Sequence, residues 1–581
     1  MPRVIPPVSK SVPDVDALLA AAVHGIGGAE RPGQVQMAEA VRHAFDSGEH
    51  VAVQAGTGTG KSLAYLVPAV RHAMITGSTI VVATATIALQ NQLIDRDLPR
   101  LTAALTPLLE QEPSFAILKG RRNYLCLNRQ QGGVAEDPQD SLFEPADTGP
   151  ASPLGRQVKR LHEWAEQTST GDRDELVPGV PEAAWRQVSV SAQECIGAQR
   201  CTFGSRCFAE KARETAARAN IVVTNHALLA IDATSEIDVL PEHDVVIIDE
   251  AHDLVDRVTS ATTGEVSGPF ADTAARRAGR LTESAAAVGS ATAVADRLRE
   301  AANALAIDLG DAPAGRLDVL PETLAATLMA VRDSAGDCAD AVRASASGEE
   351  DDAQRLATAR VTLASLDDLQ STAGRILAAF EQDVTERGEV VWLDRPFIDD
   401  GRRPPTLRVA PLEVGKVLRN RLFGQRTVAL TSATLALGGS FAPLAAQWGL
   451  PPQGAWEPTG EEHERPMTWT GLDVGSPFDH AKSGILYVAR HLPPPGRDQL
   501  PEAYLSELAE LIEAAGGRTL GLFSSMRAAK EAAGALRERI SQPILCQGDD
   551  LTAQLVRQFS EDEPTCLFGT LSLWQGVDVP G

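Results

Sequence analysis

The chain has 581 residues, 43% of them hydrophobic and 23% charged, with a formal net charge of −25: the make-up of an ordinary soluble globular protein with room for several domains. No run approaches the ~18 apolar residues of a membrane span, and Ala17–Val23 is short and preceded by Asp14 and Asp16, unlike an export signal. Cytoplasmic residence without a membrane partner is therefore expected, and seven cysteines in such a chain argue against a disulfide framework.

Strongly acidic balance by itself disfavours nucleic acid, but here the charge is unevenly spread. Residues 253–400 carry 27 acids against 14 arginines and no lysine, whereas residues 119–213 balance at 13 of each sign. The acidity is concentrated in one segment, and other surfaces are left free to be locally basic.

In chain order, the first strong signal is the apolar run His50–Gln54, followed by Ala55-Gly56-Thr57-Gly58-Thr59-Gly60-Lys61-Ser62 and the helix-like Leu63–Val67. Strand, glycine-rich turn and helix is the setting in which backbone N–H groups and a helix N-terminus cradle phosphate. The lysine then reaches the terminal phosphates and the hydroxyl holds Mg²⁺. Alternation continues with a strand over Thr79–Thr84, a helix over Ala88–Leu98 and a strand over Phe115–Leu118. A polar, Pro- and Gly-punctuated segment then brings Cys126, Cys195, Cys201 and Cys207, separated by 68, five and five residues. Four such thiols suggest a tetrathiolate site. The two gaps of five lean away from structural zinc, whose ligands pair at two to four residues, without choosing between zinc and an iron–sulfur cluster.

The α/β pattern resumes at Ala219–Asn225 and at the apolar strand Asp244–Asp249, which ends in Asp249-Glu250-Ala251-His252. Ligands of open α/β sheets sit at the carboxyl ends of strands, so these acids should face the glycine-rich loop. Asp249 would hold Mg²⁺ and Glu250 would orient or deprotonate the attacking water, which is most of what phosphoryl transfer asks of a protein. Residues 255–380 read as helices, and a further strand enters a turn at Thr427–Thr434. After Pro451 a second α/β unit is expected, with strands at Ile485–Val488, Arg518–Phe523, Pro543–Cys546 and Thr565–Phe568 and helices at Ala503–Ala515 and Met526–Ile540.

Taken in order, these motifs resemble the DinG/XPD branch of superfamily 2 DNA helicases, over nearly the whole chain. The Ala-x-x-Gly-x-Gly-Lys-Ser form of Ala55–Ser62 is one helicases commonly use. Arg31-Pro-Gly-Gln34 is similar to the family's adenine-recognition motif, Ala85–Leu93 to motif Ia and Asp249–His252 to the DEAH box, with His252 among its catalytic residues. Thr431–Thr434 is similar to motif III, and Val474–Asp479 and Gly521–Met526 to segments of the second motor domain. Gly569–Asp578 is similar to motif V, whose Gly576 and Asp578 would approach the triphosphate.

The resemblance implies an α/β fold of two RecA-like motor domains. The first would comprise residues 1–118, 214–254 and 401–450, interrupted by an iron–sulfur domain (119–213) and a helical acidic arch (255–400). The second, 451–581, would stop after motif V. The same resemblance implies ATP, Mg²⁺ and a [4Fe–4S] cluster on the four cysteines. It further implies 5′→3′ unwinding by a monomer acting on single-stranded and on forked or duplex DNA, in repair or replication. Arg121, Arg122, Tyr124, Arg200, Phe203, Arg206, Phe208 and Lys211 put cations and aromatics beside the cysteines, a mix that suits single-stranded DNA. A nuclease is not expected, because the residues before Arg31 offer no acidic two-metal site. Family members continue to a motif VI whose arginines reach the γ-phosphate, whereas this sequence stops at Gly581. Two classes therefore stay open: an ATP-driven motor, or a non-motor ATP- and DNA-binding fragment.

Overall fold

The computed structural model describes residues 12–85, 87–131, 153–192, 194–234, 239–283, 290–346, 353–395, 404–454, 467–494, 496, 499–550 and 552–573. In chain order its strands are β1 (His50–Gln54), β2 (Thr79–Thr84), β3 (Phe115–Ile117), β4 (Ile221–Asn225), β5 (His243–Asp249), β6 (Gly264–Val266), β7 (Gly315–Arg316), β8 (Glu389–Asp394) and β9 (Thr406–Pro411). They continue with β10 (Thr427–Ser432), β11 (Trp469–Asp473), β12 (Thr519–Phe523), β13 (Ile544–Cys546) and β14 (Cys566–Thr570).

Among the described residues the largest sheet has seven strands in the order β11-β1-β10-β5-β2-β4-β3, every neighbouring pair parallel. The near-continuous apolar strands follow from burial on both faces, and alternate residues divide between two cores. Val51, Val53, Ile80, Val82, Val223, Val245 and Ile247 point into one, against Leu18, Met37, Val41, Leu66 and Leu101 of the flanking helices. Ala52, Val81, Val222, Val246, Ile248 and Leu430 point into the other, against Leu228, Leu229, Leu254 and Val258. Burying each Val, Ile or Leu contributes about 1.5–3 kcal/mol, so a slip of one residue in any central strand would exchange the two cores. Parallel order also puts the carboxyl ends of β1, β5, β10 and β11 on one edge.

Between β3 and β4 the chain leaves this edge and builds a small core around Tyr124, Leu161, Trp185 and Phe208. Its base is pinned by Lys119, whose buried ammonium donates to Asp172 at 2.7 Å and Asp174 at 2.6 Å. Between β5 and β10 a second departure forms the helices Gly268–Glu283, Ser290–Asp311, Glu322–Ala346 and Ala353–Phe380. These share a core of Leu298, Leu305, Leu328, Val331, Leu366, Leu369 and Ile376, closed at one side by the antiparallel sheet β6-β9-β8-β7. A third sheet, β12-β14-β13, is parallel and packs on Glu502–Ala515 and Met526–Arg537 through Leu505, Ile512, Ala532, Leu536 and Phe568.

Three features differ from the sequence reading. Residues 485–488 form no strand: Ile485 and Leu486 are 97% and 90% exposed, because no neighbouring strand among the described residues takes up their backbone groups. The strand Trp469–Asp473, beyond residue 451, pairs with β1 in the large sheet. Thr406–Pro411 belongs with the helical excursion through β6 and β8. Strand partners are set by non-local packing, which an apolar run does not encode.

Candidate active site and cysteine pocket

The loop after β1 is shaped by its glycines: Gly58 and Gly60 adopt left-handed φ values of 78° and 85°, where a side chain is strained. The loop then opens directly into the helix Lys61–Thr76, whose first N–H groups are an anion site. Gln34 donates through Nε2 to the carbonyl of Gly60 at 3.0 Å, and the Arg31 guanidinium donates to the carbonyl of Gly58. The two residues expected at the adenine thus brace the phosphate loop from outside. Gln54 ties three strand ends together: Nε2 donates to Asp473 at 2.8 Å, and Oε1 accepts from the N–H groups of Leu435 and Ala436.

Opposite this loop lie the acids at the end of β5. Lys61 donates to Glu250 Oε1 at 2.9 Å, Ser432 Oγ donates to Glu250 Oε2 at 2.9 Å, and His252 Nδ1 lies 2.7 Å from Ser432 Oγ. Glu250 itself has φ 52°, a left-handed turn uncommon for a non-glycine residue. Strain of this kind persists only where surroundings enforce it, and here three side chains do. Asp249 is buried, accepts from Tyr65 at 3.1 Å and from the Glu250 N–H at 3.0 Å, and its carbonyl is held by His226 Nε2 at 2.7 Å.

Burial pushes the Asp249 carboxyl up to about 6, with Glu250 adding to the rise and Lys61 opposing it. Burial also acts to raise Glu250, but the Lys61 ammonium and the hydrogen bonds from Lys61 and Ser432 outweigh it and hold the carboxyl below its usual range. Two adjacent carboxylates with environments that push them apart are the pattern of divided acid–base roles. Burial lowers His226 to about 4, so it stays neutral.

Of the residues expected at this site, Arg31, Gln34, Ala55–Ser62, Asp249, Glu250 and His252 come together around one loop. Gly576 and Asp578 lie outside the described residues. Tyr65, His226 and Gln54 stand in apolar helix or strand runs and carry no motif that would single them out.

Cys126, Cys195, Cys201 and Cys207 line one pocket together with Arg121 and Glu194. All four thiols are free. Burial pushes Cys126 and Cys201 up, while the Gly197 N–H donates to Cys195 Sγ at 3.4 Å and Cys207 stands just before the helix Phe208–Ala216. Among the described residues no three His, Cys, Asp or Glu side chains are close enough to share one metal ion; zinc, at about 2.3 Å from each sulfur, would draw thiolates to within ~4 Å of one another.

Two aromatics expected to stack on DNA are corrected: Tyr124 and Phe208 are buried in the core of this module, and Arg121 pairs with Glu210. Arg122, Arg200, Arg206 and Lys211 remain exposed, and Phe203 is half-buried.

A family model described as DEAD/DEAH box helicase matches residues 31–106, and one described as Helicase C-terminal domain matches residues 508–581. The chain is 52% identical over 581 residues to the ATP-dependent helicase DinG of Mycobacterium tuberculosis, covering 99% of this chain and 82% of that protein. It is 30% identical over 582 residues to the ATP-dependent DNA helicase YoaA of Escherichia coli, covering 97% and 82%. A solved structure described as an XPD helicase aligns over 93% of this chain and 80% of its own, with a TM-score of 0.43 and 15% identity. With its phosphate loop and paired acids in place and 52% identity to the DinG helicase of Mycobacterium tuberculosis over 99% of its own residues, the chain belongs to the DinG family of ATP-dependent helicases.

Proposed function

We propose that this protein couples ATP hydrolysis to 5′→3′ movement along single-stranded DNA and thereby opens forked or duplex DNA in repair or replication. The observation that carries the reading is the chain Lys61–Glu250–Ser432–His252 at the mouth of the phosphate loop, with Asp249 buried beneath it. Lys61 binds the terminal phosphates, Ser62 and Asp249 hold Mg²⁺, and Glu250 takes the proton of the attacking water. When Lys61 turns to phosphate, Glu250 loses the partner that holds it ionised and becomes the stronger base. Ser432 and His252 carry that change to the end of β10, which is hydrogen-bonded to β1 and β5.

The four cysteines are proposed to hold a [4Fe–4S] cluster. What supports this reading is that four thiols from segments far apart in sequence line one common pocket. When bound, such a cluster ties together backbone segments far apart in sequence; Arg122, Arg200, Arg206 and Lys211 supply cations for the DNA backbone nearby.

The test is ATP hydrolysis by the 581-residue chain with and without single-stranded DNA, beside Lys61→Ala. Strong stimulation is expected, with Lys61→Ala reducing turnover ~10²-fold or more while DNA binding is largely kept. Absence of stimulation, with ATP and DNA both still bound, would overturn the motor and leave a non-motor binding protein.

A further inference from the structure

We propose that Phe478 is the face on which the base of the bound nucleotide stacks, and that residues 474–480 form the outer wall of the nucleotide pocket. The proposal deepens the reading of the phosphate loop as an ATP site and rests on it.

The segment is the continuation of β11, the edge strand beside β1, so it leaves the sheet next to the phosphate loop. It is fastened there. Val474 N–H donates to the carbonyl of Gln54 and Gly56 N–H donates to the carbonyl of Gly475, each at 3.0 Å. Asp473 accepts from Gly475 N–H at 2.9 Å, and Ser476 Oγ accepts from Phe478 N–H at 3.2 Å, which curls the turn and presents the ring.

Its two ends touch two different parts of the site. At one end a Cβ on Gly33, between Arg31 and Gln34, would sit 2.9 Å from the carbonyl oxygen of Val474. At the other, a Cβ on Gly58 would run into ring atoms Cε2 and Cζ of Phe478. The segment therefore bridges from the glutamine-bearing helix start to the phosphate loop, the path a nucleotide takes if its phosphates meet Lys61 and its base reaches Gln34.

Phe478 is not a core residue. Leu472 and Val474 pack against the large hydrophobic core, whereas Phe478 is 51% exposed and its ring neighbour is His480 at 6.2 Å, tilted. A large apolar ring held by backbone hydrogen bonds over a glycine, with half its surface open, has the form of a stacking platform. Every base has a π-face, so such a platform supplies affinity whatever the base.

Phe478→Ala is expected to raise the KM and Kd for ATP roughly ten-fold, as loss of one base–aromatic stack does, with the loss in KM and not in kcat. Inhibition by inorganic tripolyphosphate should be unchanged, and Phe478→Tyr should restore ATP affinity. Phe478→Trp should have its fluorescence quenched by ATP and ADP but not by tripolyphosphate. Unchanged ATP affinity in Phe478→Ala, an equal loss for ATP and tripolyphosphate, or a loss confined to single-stranded DNA would each overturn the assignment. Wild-type protein that binds neither ATP nor tripolyphosphate would overturn the nucleotide reading itself, an outcome separate from any effect of Phe478.

Discussion

Lys61 and Glu250 meet at 2.9 Å with side chains only 15% and 17% exposed, so each charge compensates the other. Asp249, one residue back, is favoured in its charged form first by the Lys61 ammonium and then by neutral donors, among them the Tyr65 hydroxyl at 3.1 Å. Tyr65 is fully buried, and burial beside Asp249 raises its phenol well above the ordinary range, so it donates as a neutral hydroxyl. Tyr65→Phe removes one hydrogen bond to a carboxylate, a bond that contributes about 1.5–3 kcal/mol when charged. We expect the Mg²⁺ concentration for half-maximal ATP hydrolysis to rise several-fold, with turnover at saturating Mg²⁺ close to wild type. An unchanged Mg²⁺ titration would show that Tyr65 serves packing alone. The meeting of Lys61, Asp249 and Glu250 was legible in the sequence because a glycine-rich turn after one parallel strand and acids at the end of another fall on the same sheet edge. Tyr65 was not, since a tyrosine inside Leu63–Val67 looks like any other core residue of an amphipathic run.

At the scale of elements, the cysteine-bearing module hangs on the stretch just after β3, and Lys119 is the peg. Burial works against its ammonium, but Asp172 and Asp174 together outweigh that and hold it above the usual lysine range. Removing one member of a buried ionic cluster costs ~3–5 kcal/mol because the other charges stay behind. Lys119→Met is therefore expected to loosen residues 119–213 selectively, seen as faster limited proteolysis there and lower bound iron, and adding Asp172→Asn and Asp174→Asn should recover much of the loss. Proteolysis and iron content equal to wild type would refute the peg. Elements such as β1, β2, β4, β5 and β10 were readable because strands buried on both faces need unbroken apolar runs. Their order in the sheet was not, and neither was the fate of Ile485–Val488, because both depend on which strands become neighbours. The basic and aromatic set near the cysteines was read as one surface. Packing within the module turned Tyr124 and Phe208 inward and paired Arg121 with Glu210, leaving Arg122, Arg200, Arg206 and Lys211 outside.

On the scale of the whole molecule, both excursions leave from the edge of the large sheet that carries the phosphate loop and the paired acids, one after β3 and one after β5. They also meet: Arg360, on the helix Ala353–Phe380, donates to the carbonyl of Cys195 at 3.2 Å. The helical excursion and its flanks carry a net −13 over residues 253–400, against a charge-balanced cysteine module, so a DNA strand near both is drawn toward the cysteine side. A cluster that sets the shape of residues 195–207 would then fix both the DNA-facing cations and the contact with the helices. Cys201→Ser is accordingly expected to lose iron, the brown colour of the purified protein and DNA unwinding together, measured by iron content, visible absorbance and a forked-duplex assay. Retained unwinding after loss of iron would separate the cluster from strand opening. Wild-type protein prepared without oxygen that is colourless and contains zinc would overturn the cluster itself.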